Sequence, residues 1–149
     1  MKLLQVFVLI FSVLPLNTAH ANDQLRQGIE SWTGGYPAVV KSELILNKEI
    51  LSNFYTQRNF KSAWFNREVL SNGGRALLKA INDIEREGLL ADDYHSRQIL
   101  PLLTADLAAV DIASFDLLLS DAFLSLASHL QSGKVDPLTL STEWEANRR

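Results

Sequence analysis

The stretch DLLLSDAFLSLASHLQSGKVDP, Asp116 to Pro137, carries leucines at helical spacing up to a glycine. It predicts one long apolar helix over Ile112–Ser132, with Asp111 as its N-cap and Gly133 as its stop. In the middle of that helix sits Asp121. At 100° per residue it is flanked by Leu117, Leu118, Leu124 and Ser125, so it belongs to a mostly apolar neighbourhood. A carboxylate in such a place has two readings. It is a desolvated acid or base with a raised pKa, or a buried anchor paired with a donor such as Arg58, a backbone N–H or a hydroxyl. Buried charges persist when paired, because stranding one partner costs roughly 3–5 kcal/mol. No second catalytic group accompanies Asp121 in the sequence, so the anchor reading is preferred. It predicts a buried, hydrogen-bonded Asp121.

Working outward, Asn47 is a plausible N-cap for a helix with Ile50, Leu51, Phe54, Tyr55 and Arg58 on one face, ending near Asn59. FKSAWF, Phe60 to Phe65, follows as an extended bridge. Asn72-Gly73-Gly74 opens the next helix, whose inner face is Leu77, Leu78, Ile81 and Ile84. Gly88 stands where a left-handed residue stops it. Asp92 or Asp93 caps a short helix reaching Ile99–Leu103, weakened by Pro101. Before these, Ala38–Leu46 suits either a short strand or the start of a helix. Residues 22–43, with Gly28, Gly34, Gly35 and Pro37, read as a leader and turn region around Thr33–Tyr36. The expectation is an all-α domain of about four helices with little or no sheet.

The first residues have another purpose. Met1-Lys2, an apolar run Leu3–Leu16 and the small-x-small step Ala19-His20-Ala21 have the layout of a secretory signal peptide over residues 1–21. Cleavage after Ala21 would leave roughly 130 residues, enough for one domain with its own core. The full chain has 14 basic and 17 acidic residues and a net charge of −3, and losing Lys2 makes it −4. With no basic excess and no Lys/Arg stripe, nucleic acid is not an expected partner. The expected site of action is the periplasm, without a membrane anchor once the signal is removed.

The 149 residues contain no cysteine, which removes thiol chemistry and every cysteine-ligated metal site from consideration. Asp92-Asp93-Tyr94-His95 is the one carboxylate–histidine cluster, and His129 is a conceivable further ligand. A helix cap explains the cluster better, and the C-terminal carbonyls of the long helix explain His129. Ser120, Ser125 and Ser128 show no triad-like arrangement. Asp116 and Asp121 as a glycosidase pair would point in different directions from one helix. Trp32, Tyr36, Tyr55, Trp64 and Trp144 have the chemistry to stack on sugars. For Tyr55 and Trp64 the core is the better reading, whereas Trp32 and Trp144 stay candidates for a ligand. No phosphate loop or dinucleotide fingerprint is present, so no catalytic, cofactor or metal residues are assigned.

Three pieces occur together in a recognisable order: FYTQRNFKSAWF (Phe54–Phe65), EGLLADDYH (Glu87–His95), and DLLLSDAFLSLASHLQSGKVDP. Together they resemble the N-terminal scaffold domain of large periplasmic L,D-transpeptidases, the peptidoglycan cross-linking family. The resemblance rests on Tyr55, Arg58, Trp64, Gly88, Leu89, Tyr94 and His95. It continues through Asp116, Leu119, Asp121, Ala122, Phe123, Gly133, Val135 and Pro137. Glu87 replaces a frequent histidine and Ala91 a frequent proline. The scaffold-like domain is expected over residues 44–140, with a tail at 141–149.

The resemblance implies an all-helical scaffold linked to cell-wall biogenesis. That family's catalytic domain uses a cysteine in a Ser-His-Gly-Cys context, and neither the cysteine nor that stretch occurs here. The expectation is therefore a non-catalytic domain, as a truncated or stand-alone member of the family. The alternatives are a periplasmic binding or adaptor module for peptidoglycan or a cell-wall enzyme, and a hydrolase using Asp121 or Asp116.

Overall fold

A computed structural model describes residues 16–32 and 34–133. The fold is mostly helical. Helix α1 spans Leu16–Glu30, α2 Lys48–Gln57, α3 Asn72–Asn82, α4 Ser96–Ile99 and α5 Ile112–Ser132, with short 3-10 turns between α3 and α5. Two small antiparallel hairpins interrupt the helices: β1 (Val39–Val40) with β2 (Glu43–Leu44), and β3 (Phe65–Asn66) with β4 (Val69–Leu70). The mostly helical expectation holds; among the described residues there are five helices where about four were expected, and the little sheet is two short hairpins. The β1–β2 turn has positive φ at both central residues, Lys41 and Ser42, as a two-residue hairpin turn requires. Neither residue is the glycine or asparagine that signals such a turn, so the choice between strand and helix could not be made from sequence.

Helix α5 is the centre of the molecule. Asp111 caps it by accepting the N–H of Ser114, and the helix ends at Gly133, with boundaries as the sequence implied. Its buried leucines 117, 118, 119 and 126 meet α1 and α2 on one side and α3, α4 and the turn at 91–94 on the other. Helix α3 is capped by Ser71, whose Oγ accepts the N–H of Gly74. A Cβ at Gly74 would stand 2.6 Å from Leu70 Cδ1, so this glycine lets the helix start directly against a buried leucine. Helix α3 stops at Asn82, ahead of Gly88. A 3-10 turn over Ile84–Glu87 fills the gap, and Gly88 takes the left-handed conformation (φ 76°) after it.

Within residues 22–43, read as a leader and turn, the stretch up to Glu30 is helix instead of loose leader, while turns and bends do occur at 31–32 and 34–36. Leu25 and Ile29 of α1, Trp32, Ala38 and Val40 are all buried in the common core. Only a few apolar residues carry the period of α1, and Gly28 looked like a break. Gly28 instead faces Leu117, whose Cδ1 lies 3.5 Å from where a Cβ would be, at ordinary contact distance. Trp32, held open above as a ligand platform, is a core residue. The expected cleavage point at Ala21 falls inside α1, whose packed residues Leu25 and Ile29 follow it. Among the described residues, no helix is long and apolar enough to cross a membrane. Most of the expected signal run, Thr33, Val135, Pro137 and Trp144 lie outside the described residues.

Candidate functional site

Two aspartates on α5 organise the polar interior. They lie five residues apart, about 140° around the helix, and so serve two separate networks.

Asp116 is fully buried and faces α2 and the bridge at 60–64. Its carboxylate accepts the Tyr55 hydroxyl at 2.5 Å, the Ala63 N–H at 2.8 Å, the Trp64 N–H at 3.0 Å, and the Ser62 hydroxyl. Ser120, one turn on, accepts Trp64 Nε1–H at 2.8 Å and lies 2.6 Å from the Tyr55 oxygen. An indole only donates and a carboxylate only accepts, which fixes the order of protons. Trp64 donates to Ser120, Ser120 to Tyr55, and Tyr55 to Asp116. Burial, followed by the charge of Asp116 and their hydrogen bond, pushes the Tyr55 phenol well above its ordinary value. Tyr55 stays a neutral donor at every physiological pH.

Asp121 is equally buried and faces the start of α2. One oxygen accepts the Asn47 N–H at 2.8 Å and its side-chain amide at 2.9 Å. The other accepts the Leu46 N–H at 3.2 Å and lies 2.8 Å from His95 Nε2. Asn47 occupies the N-cap position of α2, but its side chain turns to Asp121 and Ser125 instead of closing the helix. The carboxylate of Asp121 therefore stands at the positive end of α2, where a negative charge is favoured. On its other side, His95 Nδ1 lies 3.3 Å from Glu43 Oε2 of β2. Both ring nitrogens face carboxylate oxygens, which only accept, so the arrangement calls for the doubly protonated ring.

Charge and burial compete in this pair. Burial alone would lower the His95 pKa, but the hydrogen bonds to Asp121 and Glu43 and their charges hold it above the ordinary histidine value. Burial alone would raise the Asp121 carboxyl. The hydrogen bonds from His95, Asn47 and Leu46 hold it below the usual carboxylate range instead. His95 also adopts a left-handed backbone (φ 56°), uncommon outside glycine but one that histidine enters more readily than most side chains.

Of the donors expected for Asp121, namely Arg58, a backbone N–H or a hydroxyl, the structure supplies backbone N–H groups and not Arg58. Arg58 donates to the carbonyls of Lys61 and Ser62, and its guanidinium sits over the Phe54 ring, 5.0 Å from the centroid. It braces the bridge, and main-chain donors fill the place assigned to it. The cap reading of Asp92-Asp93 is corrected too. Both residues lie within a 3-10 turn over Ala91–Tyr94, and Asp92 accepts from the Ser96 hydroxyl and Arg97 side chains. His129 Nδ1 meets the hydroxyl of buried Tyr94 at 2.9 Å, a contact that helix-end electrostatics alone did not foresee. Leu89 packs half-buried against the core, Phe123 is 47 % exposed with its ring beside that of Trp64, and Gly133 (φ 78°) closes α5.

The linkage of His95 to Asp121 is what sequence reasoning missed, since 26 positions separate the two residues. A signal for the networks was nonetheless present. Each aspartate has a serine one turn later, Ser120 after Asp116 and Ser125 after Asp121, and each serine joins the network of its aspartate. Among the described residues, no buried side-chain nitrogen or oxygen lacks a hydrogen-bond partner, and no cluster of three or more His, Asp or Glu residues has the geometry to hold a metal ion.

These networks join the three sequence pieces singled out above: Tyr55 and Trp64 from the first, His95 from the second, Asp116 and Asp121 from the third. Residues 49–149 match the family described as Scaffold domain. The chain belongs to that family. The match is consistent with the resemblance to the scaffold domain of L,D-transpeptidases, and it includes the residues beyond Gly133. No curated protein and no solved structure matches the chain. In this scaffold domain both buried aspartates act as fasteners, each holding a segment that has no regular main-chain pairing of its own. Asp116 gathers the N–H groups of the bridge, and Asp121 gathers those at the start of α2.

Proposed function

We propose that this chain is a non-catalytic scaffold domain of periplasmic cell-wall biogenesis, exported by its signal peptide. The observation that carries the non-catalytic part is the saturation of the two α5 carboxylates. Asp116 and Asp121 are both fully buried, and donors from the protein itself surround them. His95 has a carboxylate at each ring nitrogen, so no ring position is left to take a proton from a substrate. The hydrolase reading would need one of these groups to reach solvent. These 149 residues also supply no thiolate for the acyl transfer of the transpeptidases that the chain resembles.

The link to the cell wall rests on the family resemblance and on the signal-like first residues. Retention of the purified protein on insoluble peptidoglycan, against a washed cellulose control, tests it directly. Retention reduced by soluble muropeptides would support a domain that engages peptidoglycan itself. Equal recovery from both matrices would remove direct wall binding and leave support of a cell-wall enzyme as the role. Fractionation of cells producing the chain tests the export step. Recovery in the cytoplasm with Met1 still attached would refute it.

A further inference from the structure

Beside the Asp116 network, α2, the bridge and α5 enclose an apolar groove of about 300 Å³. Ile50, Phe54, Trp64 and Phe123 form its walls, and the Trp64 and Phe123 rings lie 5.6 Å apart at 58°. Ile50 and Phe123 are each about half exposed, so the groove opens to water. Most hydrogen-bond donors on its walls are already engaged. The Trp64 indole donates to Ser120, the Ser120 hydroxyl to Tyr55, and the N–H groups of Ala63 and Trp64 to Asp116. Arg58 is the exception. Of its five N–H groups, one on Nε and one on Nη2 reach the carbonyls of Lys61 and Ser62, and the guanidinium rests on the Phe54 ring. The other three have no acceptor among the described residues. The ion pairs of the described residues are made by His95 and Arg97 and leave Arg58 out. The groove thus presents one half-buried cation, held in place by two carbonyls and a ring, beside an aromatic cleft.

We propose that this groove binds a small monocarboxylate, its carboxylate on Arg58 and its compact apolar body between Phe54, Trp64 and Phe123. The inference rests on the groove alone and not on the cell-wall reading. The chemistry of the walls selects the ligand class. The open edge of a guanidinium meets a carboxylate with two parallel N–H···O bonds. One cation among apolar walls balances one negative charge, whereas the second charge of a phosphate monoester would stay uncompensated. The body has to be apolar, because the hydroxyls of a sugar or the amides of a peptide would lose water and find the donors of these walls already taken. A volume of about 300 Å³ stands at the low end of small-molecule sites, which suits a short acid with one ring better than a long acyl chain.

The test uses the full chain with two probes, phenylpropanoate and its uncharged amide. Affinity is read by titration calorimetry at neutral pH, and the Trp64 indole N–H resonance reports on the groove itself. The acid should bind at least about ten-fold more tightly than the amide, the size expected of hydrogen bonds to a charged group, and should shift the Trp64 resonance. Arg58→Gln should remove the preference, so that acid and amide bind alike. Because Arg58 also braces the bridge, a second variant keeps the test independent of that role. Ile50→Glu, at a half-exposed wall position outside the Asp116 network, sets a negative charge in the groove. It should weaken the acid at least about ten-fold and the amide less. Equal affinity of acid and amide for the unaltered chain, no binding of either, or acid binding that leaves the Trp64 resonance unmoved would overturn the proposal. So would a preference for the acid that survives both substitutions. Tighter binding of the dipeptide alanyl-phenylalanine than of phenylpropanoate would overturn it in favour of a peptide terminus.

Discussion

The two carboxylates of α5 are equally buried, yet they solve the same problem with different chemistry. Asp116 is surrounded by groups that hold one protonation state: two backbone N–H groups, a serine hydroxyl and a phenol pushed out of the titration range. Asp121 shares its donors with a histidine, which is itself held between two carboxylates. The first network clamps the bridge with donors that keep their protons across the physiological range. The second is a clamp whose strength depends on pH. A buried carboxylate in a helix is thus stabilised by whatever donors the incoming segment brings, and the type of donor decides whether the joint gains a second titrating group.

The sharpest way to break this comparison is Asp116→Ala. It strands several buried donors at once and should cost roughly 3–5 kcal/mol, read by urea or thermal unfolding. A loss under about 1 kcal/mol would show that water readily replaces the carboxylate and that the clamp is not one. Asp121→Asn keeps the shape but removes the charge facing His95, and should cost about 1–3 kcal/mol. A fold of unchanged stability that loses a measurable enzymatic activity would instead restore the hydrolase reading.

The pH dependence separates the two networks directly. His95 is held above its ordinary value, so its contribution is complete below about pH 6.5 and fades as pH rises through its raised pKa. Asp121 is held below its ordinary value, so its contribution is complete above about pH 4 and fades as pH falls through its lowered pKa. Unfolding measured across pH should therefore show greatest support from this pair at mildly acidic pH. His95→Gln should flatten the alkaline side, while Tyr55→Phe should lower stability by a similar amount across the neutral range. An alkaline decline that survives in His95→Gln would assign it to another group.

Smaller effects sharpen the picture. Ser125→Ala removes one acceptor from the Asn47 amide and should cost about 0.5–1.5 kcal/mol, measured by urea unfolding. The exposed Asp92–Arg97 pair offers the lower bound: Arg97→Ala should leave the melting temperature unchanged within error. A clear drop there would mean that the turn at 91–94 depends on its surface charges more than on buried Tyr94.

Helix α5 was legible from end to end because its information is local. Its leucine period, the Asp111 cap and the Gly133 stop lie within a few residues of where they act. The buried, bonded state of Asp121 followed from the cost of stranding a charge. Its partners did not, because the N–H groups of Leu46 and Asn47 belong to backbone that every residue carries and no side-chain identity advertises. The same limit hid the β1–β2 hairpin, whose turn uses Lys41 and Ser42, and helix α1, whose sparse apolar residues gain their meaning against α5. Sequence alone determined the long helix, the two aspartates on different faces and the absence of a thiol. Only the tertiary structure decided that His95 stands between Asp121 and Glu43, because hydrogen bonds over such separations in sequence form only once packing has brought the segments together.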